Sequence, residues 1–278
     1  MKSNIKIPFV SIQITNRCNL DCPFCFRRNV VDEPFSNIEK IIRNLKECHV
    51  DTIVVSGGEP LLRKDVPKIL KLCKELDIKT VLQSNGILLN QYFNNISKYV
   101  DWISLSLDGD TPKSNSLLRS EEQFYSVLKV LPIIKRGKIK IKLGTVVTKV
   151  NYKNIEGIGK LIEEHVDVWK LYQFYPRKGT IAEINKEKLI IDDELFESIS
   201  KKIKNKFPNM QISTHTVEEF NKSPCLMIDP NGKVYITKEN KDFLIGDVIK
   251  DEDNFIKKYE KIKNNQEIVK NYNKTYKN

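Results

Sequence analysis

The run Thr15-Asn-Arg-Cys-Asn-Leu-Asp-Cys-Pro-Phe-Cys-Phe26 sets three cysteines, Cys18, Cys22 and Cys25, in one short loop. The spacing C-x3-C-x2-C supplies three thiolates, not four. A structural zinc site closes with four ligands, so zinc would need a distant fourth, for which Cys225 is the candidate. A cubane iron–sulfur cluster on three thiolates has four irons and leaves one open to a ligand. A Cys22–Cys25 redox pair is a third reading, although thioredoxin-like pairs open a helix without a third cysteine upstream.

Working outward, Pro8 to Ile14 reads as a strand entering this loop, and an amphipathic stretch from Asn37 to Cys48 follows it. Thr52 to Val55 is a second strand, ending at Ser56-Gly-Gly-Glu-Pro60. Val66 to Leu76 has helical apolar spacing, and Lys79 to Gln83 is strand-like up to the turn Ser84-Asn-Gly86. Leu88 to Tyr99 and Glu121 to Leu131 read as helices, the latter stopped by Pro132, with a strand from Trp102 to Leu107 between them. Lys138 to Val147, Ile155 to Glu164 and Val168 to Phe174 continue as strand, helix, strand. Repeated βα units imply parallel strands with right-handed crossovers, and such folds gather their chemistry at the carboxyl ends of the strands. The cysteine loop, Gly57-Gly58, Ser84-Asn85 and Ser106-Leu-Asp108 all fall there.

After Tyr175-Pro-Arg-Lys-Gly179 the alternation is expected to stop. Residues 1–178 form the expected barrel and 179–278 a cap, with a helix from Asp192 to Lys206 and a β-hairpin near 225–237 turning at Pro230-Asn-Gly232. A charged helix from Asp253 to Ile262 and a polar, unpacked segment from Asn271 to Asn278 complete the reading.

The chain has 278 residues, enough for a sizeable core. No apolar run reaches the length of a membrane span, and no apolar segment of a signal peptide precedes the first strand. A cluster held by Cys18, Cys22 and Cys25 needs a reducing compartment, which points to the cytoplasm. Cys48 and Cys73 fall on apolar helix faces and read as core packing. The net charge of +11 is spread along the chain and interleaved with acids, so nucleic acid is not the expected partner.

Taken together, the cysteine loop and Ser56-Gly-Gly-Glu-Pro60 resemble the radical S-adenosylmethionine (SAM) family. That resemblance implies an α/β fold, a partial (β/α)6 barrel with a small C-terminal α+β cap. It implies a 4Fe-4S cluster on Cys18, Cys22 and Cys25 whose open iron chelates S-adenosyl-L-methionine, and cleavage of that cofactor to a 5′-deoxyadenosyl radical. It also implies an electron donor, a reduced flavodoxin or ferredoxin, which a basic surface would suit. Phe24 falls where the family contacts the adenine, with plain loop packing as the alternative. Gly57 and Gly58, with Glu59 nearby, match the segment that receives the methionine amine. Asn85 and Ser106 look like the polar residues around ribose and carboxylate, with Asp108 close by in sequence. Arg119 would suit the methionine carboxylate or stand as a solvated charge.

Cys225-Leu-Met-Ile-Asp-Pro-Asn-Gly-Lys-Val-Tyr235, followed by Ile245-Gly-Asp247, resembles a SPASM or twitch extension. Thr237 stands where a further cysteine would fall, so the extension reads as a cluster-free remnant. A barrel with such a cap is similar to viperins, which act on nucleoside triphosphates. Lys142 and Lys170 match two of that family's triphosphate-holding lysines, while Thr52, Gly144 and Val168 stand where it has a lysine, an asparagine and an arginine. The expected substrate is a small anion, nucleotides included, with Arg177 and Lys178 also on that side. A peptide is the alternative, and a non-catalytic iron–sulfur or zinc protein is the reading from another class. Tyr172, Tyr175 and Cys225 are candidates, by chemistry alone, for quenching a product radical.

Overall fold

The structure is a computed structural model that describes residues 7–222, 225–251 and 257–259. The expected helix from Asp253 to Ile262 lies outside the described residues except at 257–259, and the polar segment 271–278 lies wholly outside them.

The first half alternates β1 (Ile7–Gln13), α1 (Phe35–Glu47), β2 (Val50–Ser56), α2 (Val66–Glu75), β3 (Lys79–Gln83), α3 (Leu89–Ile96) and β4 (Trp102–Ser106). Then come α4 (Pro112–Ser116), α5 (Glu121–Arg136), β5 (Lys140–Val147), α6 (Ile155–Ile162) and β6 (Val168–Gln173). The remainder comprises α7 (Ile181–Ile184), α8 (Lys186–Leu189), α9 (Asp193–Lys206), β7 (Ile212–His215), α10 (Val217–Lys222), β8 (Met227–Ile228), β9 (Lys233–Lys238) and β10 (Lys241–Asp247). Among the described residues, one sheet holds all ten strands in the order β10-β9-β8-β1-β2-β3-β4-β5-β6-β7. From β8 through β7 every neighbouring pair is parallel. The helices bury Ile41, Ile69, Val127 and Ile158, among others, against the outer sheet face.

Two expectations need correction. Pro132 does not end α5, which runs on to Arg136. The proline removes one helical hydrogen bond, costing about 3 kcal/mol, but Leu131 and Ile134 on either side of it are fully buried and offset that loss. Nor does the alternation stop after Tyr175: α9, capped by Asp192 at 2.7 Å from Leu195 N, leads into a seventh parallel strand. The hairpin is as expected, β8–β9 turning where Gly232 takes φ +87°, and a third strand, β10, follows a turn in which Glu239 and Asn240 both have positive φ.

The C-terminal strands therefore extend both edges of the barrel sheet. Between those edges, Phe220 of α10 stacks on Tyr175 with ring centroids 4.7 Å apart. The Tyr175 hydroxyl donates to Asn221 Oδ1 at 2.8 Å and accepts from Asn240 N at 2.7 Å, which joins α10 to the β9–β10 turn. No described helix is long and apolar enough to cross a membrane.

Candidate active site

The carboxyl ends of β1 to β6 surround a cavity of about 370 Å³, within the size range of small-ligand sites. Cys18, Cys22 and Cys25 line it, as do Lys142, Tyr172 and Cys225.

The cysteine loop is held at its base by a residue that the sequence did not single out. Asp32 accepts from Thr15 Oγ1, from Asn16 N at 2.8 Å and from Arg17 Nε at 3.0 Å. Burial would raise its carboxyl, but these hydrogen bonds and the Arg17 charge outweigh that and hold it below the usual range. The Gly57-Gly58 turn docks on the same segment, with Gly58 N donating to Thr15 O and Glu59 N to Arg17 O, both at 2.8 Å. A Cβ at Gly58 would lie 2.2 Å from Arg17 O, and one at Gly57, where φ is +152°, 2.5 Å from Thr15 O. The glycines are thus required for the close approach of the two motifs, and both also line the cavity.

Glu59 does not line the cavity. Fully buried, its carboxylate accepts from Leu61 N at 3.1 Å, Ser84 Oγ at 3.0 Å and Asn85 N at 2.7 Å, and so orients the end of β3. Gln123 does the same for two strands at once: its Nε2 donates to the carbonyls of Asn85 (3.0 Å) and Ser106 (2.7 Å). Its Oε1 accepts from Asn115 of α4, whose Oδ1 receives Asp108 N. Asn85 and Ser106 both face the cavity.

Arg119 is a buried ion-pair member, not a solvated charge. Its Nε donates to Asp108, which is fully buried and accepts from Val146 N at 2.7 Å. Burial opposes the Arg119 charge, but Asp108 and the nearby cysteine sulfurs outweigh it and raise its pKa. Nη1 lies 3.8 Å from Cys22 Sγ, and the guanidinium sits 5.1 Å from the Phe24 ring centre. Phe24 packs with Leu20, Leu118 and Phe174 and also lines the cavity.

The chemistry of the loop's donors can be set against a cubane. Burial pushes the Cys18 thiol up, and pushes Cys22 up to about 11 despite Arg119, so loading any metal must displace protons. Among the described residues no three His, Cys, Asp or Glu side chains group as around a single ion. A cubane asks for something else, three thiolates reaching separate irons around a shared volume, and the three thiols do face one volume. The residues fit that group.

Lys142 Nζ donates to Tyr172 OH at 3.1 Å; Lys170 is not among the residues that line the cavity, but its Nζ lies 5.3 Å from the Tyr172 ring centre. Burial would raise the Tyr172 phenol, but the two lysine charges lower it further. Cys225, under the same lysines, is nevertheless pushed by burial up to about 12. Gly144 leaves room for Tyr172, whose ring would be 3.1 Å from a Cβ there. Arg177 lines the cavity but is engaged elsewhere: it pairs with Asp242 and donates to Phe26 O, while Lys178 is exposed.

The model of the radical SAM superfamily matches residues 12–162, more than half of the chain. The chain belongs to the radical SAM superfamily. Among curated radical SAM relatives, it is 27% identical over 268 residues to an S-adenosylmethionine-dependent nucleotide dehydratase of Flammeovirga pacifica, covering 90% of this chain and 89% of that one. A protein of the same description from Lacinutrix mariniflava is 28% identical over 84% of this chain, which spans about half (52%) of that relative's length. The fold is shared with SuiB of Streptococcus suis, solved with S-adenosylmethionine bound: TM-score 0.66 at 22% identity, covering 82% of this chain and 60% of that one.

Proposed function

We propose that this radical SAM enzyme acts on a small anionic substrate, a nucleotide or similar metabolite, bound between the cysteine loop and the lysine wall. The observation that carries this reading is that one cavity is lined both by the three thiols and by Lys142, Tyr172 and Cys225. The relationship to nucleotide dehydratases at near-full coverage adds to it.

In this reading Cys18, Cys22 and Cys25 hold a 4Fe-4S cluster, and a reduced flavodoxin or ferredoxin supplies its electron. When bound, cluster and SAM together supply a 5′-deoxyadenosyl radical able to remove a substrate hydrogen atom. Around them, Gly57, Gly58, Asn85 and Ser106 present backbone and polar groups to SAM, and Phe24 offers its ring to the adenine. Arg119 faces the cysteine sulfurs and the methionine carboxylate, held in place by Asp108. Glu59 and Gln123 position Asn85 and Ser106 from behind. Lys142 and Lys170 attract the substrate anion.

Anaerobic reconstitution tests this. Iron content should reach four per chain and fall in Cys18→Ala, Cys22→Ala and Cys25→Ala, and SAM with dithionite should give 5′-deoxyadenosine. A fully loaded four-iron protein that leaves SAM intact would overturn the reading. A peptide substrate is the second reading, favoured by the hairpin β8–β9, which resembles the extension of peptide-modifying relatives.

A further inference from the structure

Asp32 ties the entrance of the cysteine loop; its exit is held from the other end of the chain. Directly after Cys25, the Phe26 carbonyl accepts from Arg177 Nη1 at 3.0 Å. Two residues further on, Gln13 of β1 grips the Arg28 backbone, its Nε2 donating to Arg28 O at 2.7 Å and its Oε1 accepting from Arg28 N at 3.2 Å. The Arg28 side chain stacks on Tyr235 and reaches two carboxylates of the C-terminal hairpins, Asp229 at 3.2 Å and Asp242. Asp242 is where these holds meet. Its carboxylate accepts from Arg28, from Nε (2.8 Å) and Nη2 of Arg177, and from the hydroxyl of Thr237, its register partner on β9, at 2.8 Å. Arg177 is 1% exposed, and among the described residues Asp242 is its ion-pair partner. Taking that carboxylate away would leave a buried guanidinium charge uncompensated.

We propose that Asp242 is a positioning residue for Cys25: through Arg177 and Arg28 it fixes the chain leaving the cysteine loop, and with it the direction of the third thiol. The inference rests on the cluster reading of Cys18, Cys22 and Cys25. A cubane needs its three sulfurs at set separations, and a loop that is already ordered does not have to be ordered by the metal. A buried ion pair is weak evidence for stability and is better attested as a means of selecting one arrangement. Here the arrangement selected is that of Phe26 and Arg28, the residues that carry the chain away from Cys25. Asp242 does not itself line the cavity, so it acts through the two arginines rather than on a ligand. Thr237, which stands where a SPASM or twitch extension has a further cysteine, serves the same ion pair.

The experiment labels the metal-free protein with iodoacetamide and reads each cysteine by mass spectrometry, in wild type, Asp242→Asn and Arg177→Lys. Cys25 should react severalfold faster in both variants. Cys48 and Cys73, buried in the main core, report global opening and should stay unreactive. After anaerobic reconstitution the same variants should release iron to a chelator about tenfold faster, as expected of residues that orient metal ligands. The electron paramagnetic resonance spectrum of the dithionite-reduced cluster should change shape with them. Cys25 labelling at the wild-type rate in both variants, or a rise shared by Cys48 and Cys73, would overturn the positioning role. Wild-type protein that takes up no four-iron cluster, with Cys25 still selectively freed in the variants, would overturn the cluster reading and uphold the hold on Cys25.

Discussion

The Thr15 hydroxyl reaches both carboxylate oxygens of Asp32, at 2.9 and 2.7 Å, and so ties the entrance of the cysteine loop to the segment leaving it. Asp32→Asn should cost about 1.5–3 kcal/mol of stability at neutral pH, the range for hydrogen bonds to a charged group. Because the folded-state pKa is depressed, the contribution is present above the ordinary aspartate range and is lost as pH falls through the lowered folded value. Urea unfolding of both proteins should therefore show a gap at pH 7 that closes in acid. A gap independent of pH would refute the assignment.

Gln123 carries two cavity strands on one amide. Replacing it by Glu sets a buried carboxylate against the carbonyls of Asn85 and Ser106, with an expected loss of about 3 kcal/mol. Thermal unfolding reads the stability, and SAM affinity should fall with it because both residues face the cavity. Unchanged SAM binding would mean that the strand ends hold their positions without the amide.

Gly58→Ala should be among the most damaging single-methyl additions in the chain, since its Cβ would stand 2.2 Å from a backbone oxygen. An expected cost of about 3 kcal/mol or more should appear as a lower midpoint in denaturant. Gly179, with nothing within 4 Å of an added Cβ but φ +74°, is the control for backbone strain alone; Gly179→Ala should lose only about 1 kcal/mol.

The Tyr172 phenol lies below its ordinary pKa because two lysine charges outweigh its burial. Ultraviolet titration should find one tyrosine ionising early, and Lys170→Met should move that titration upward. A spectrum in which every tyrosine titrates at or above the usual value would remove the electrostatic coupling from the picture.

The strands β1 to β6 and the cysteine loop were legible because β-branched runs, glycine turns and closely spaced cysteines are local signals. The cavity's supports were not. Asp32, Gln123 and Asn115 act through single hydrogen bonds to distant backbone, and no short window of sequence shows which amide will find which carbonyl. Strand β7 was missed because Ile212-Ser-Thr-His215 has little apolar character and is held by pairing with β6. The capping box on Thr111 that starts α4 has Ser114 in place of the usual Glu or Gln, so its sequence lacks the common signature. Glu59 was placed at the ligand by resemblance, while its burial puts it one layer behind.

Asp242 pairs with both Arg28 and Arg177, and Arg28 also stacks on Tyr235 with its guanidinium 3.5 Å from the ring centre. Strand β8, near the end of the chain, pairs with β1 at its start. The thiols are thus translated roughly 200 residues before the strand that pairs with β1. In the proposed reading, three oxidisable sulfurs wait through the synthesis of everything between Cys25 and Met227, so the timing of iron delivery relative to the completion of β8 becomes part of making this protein.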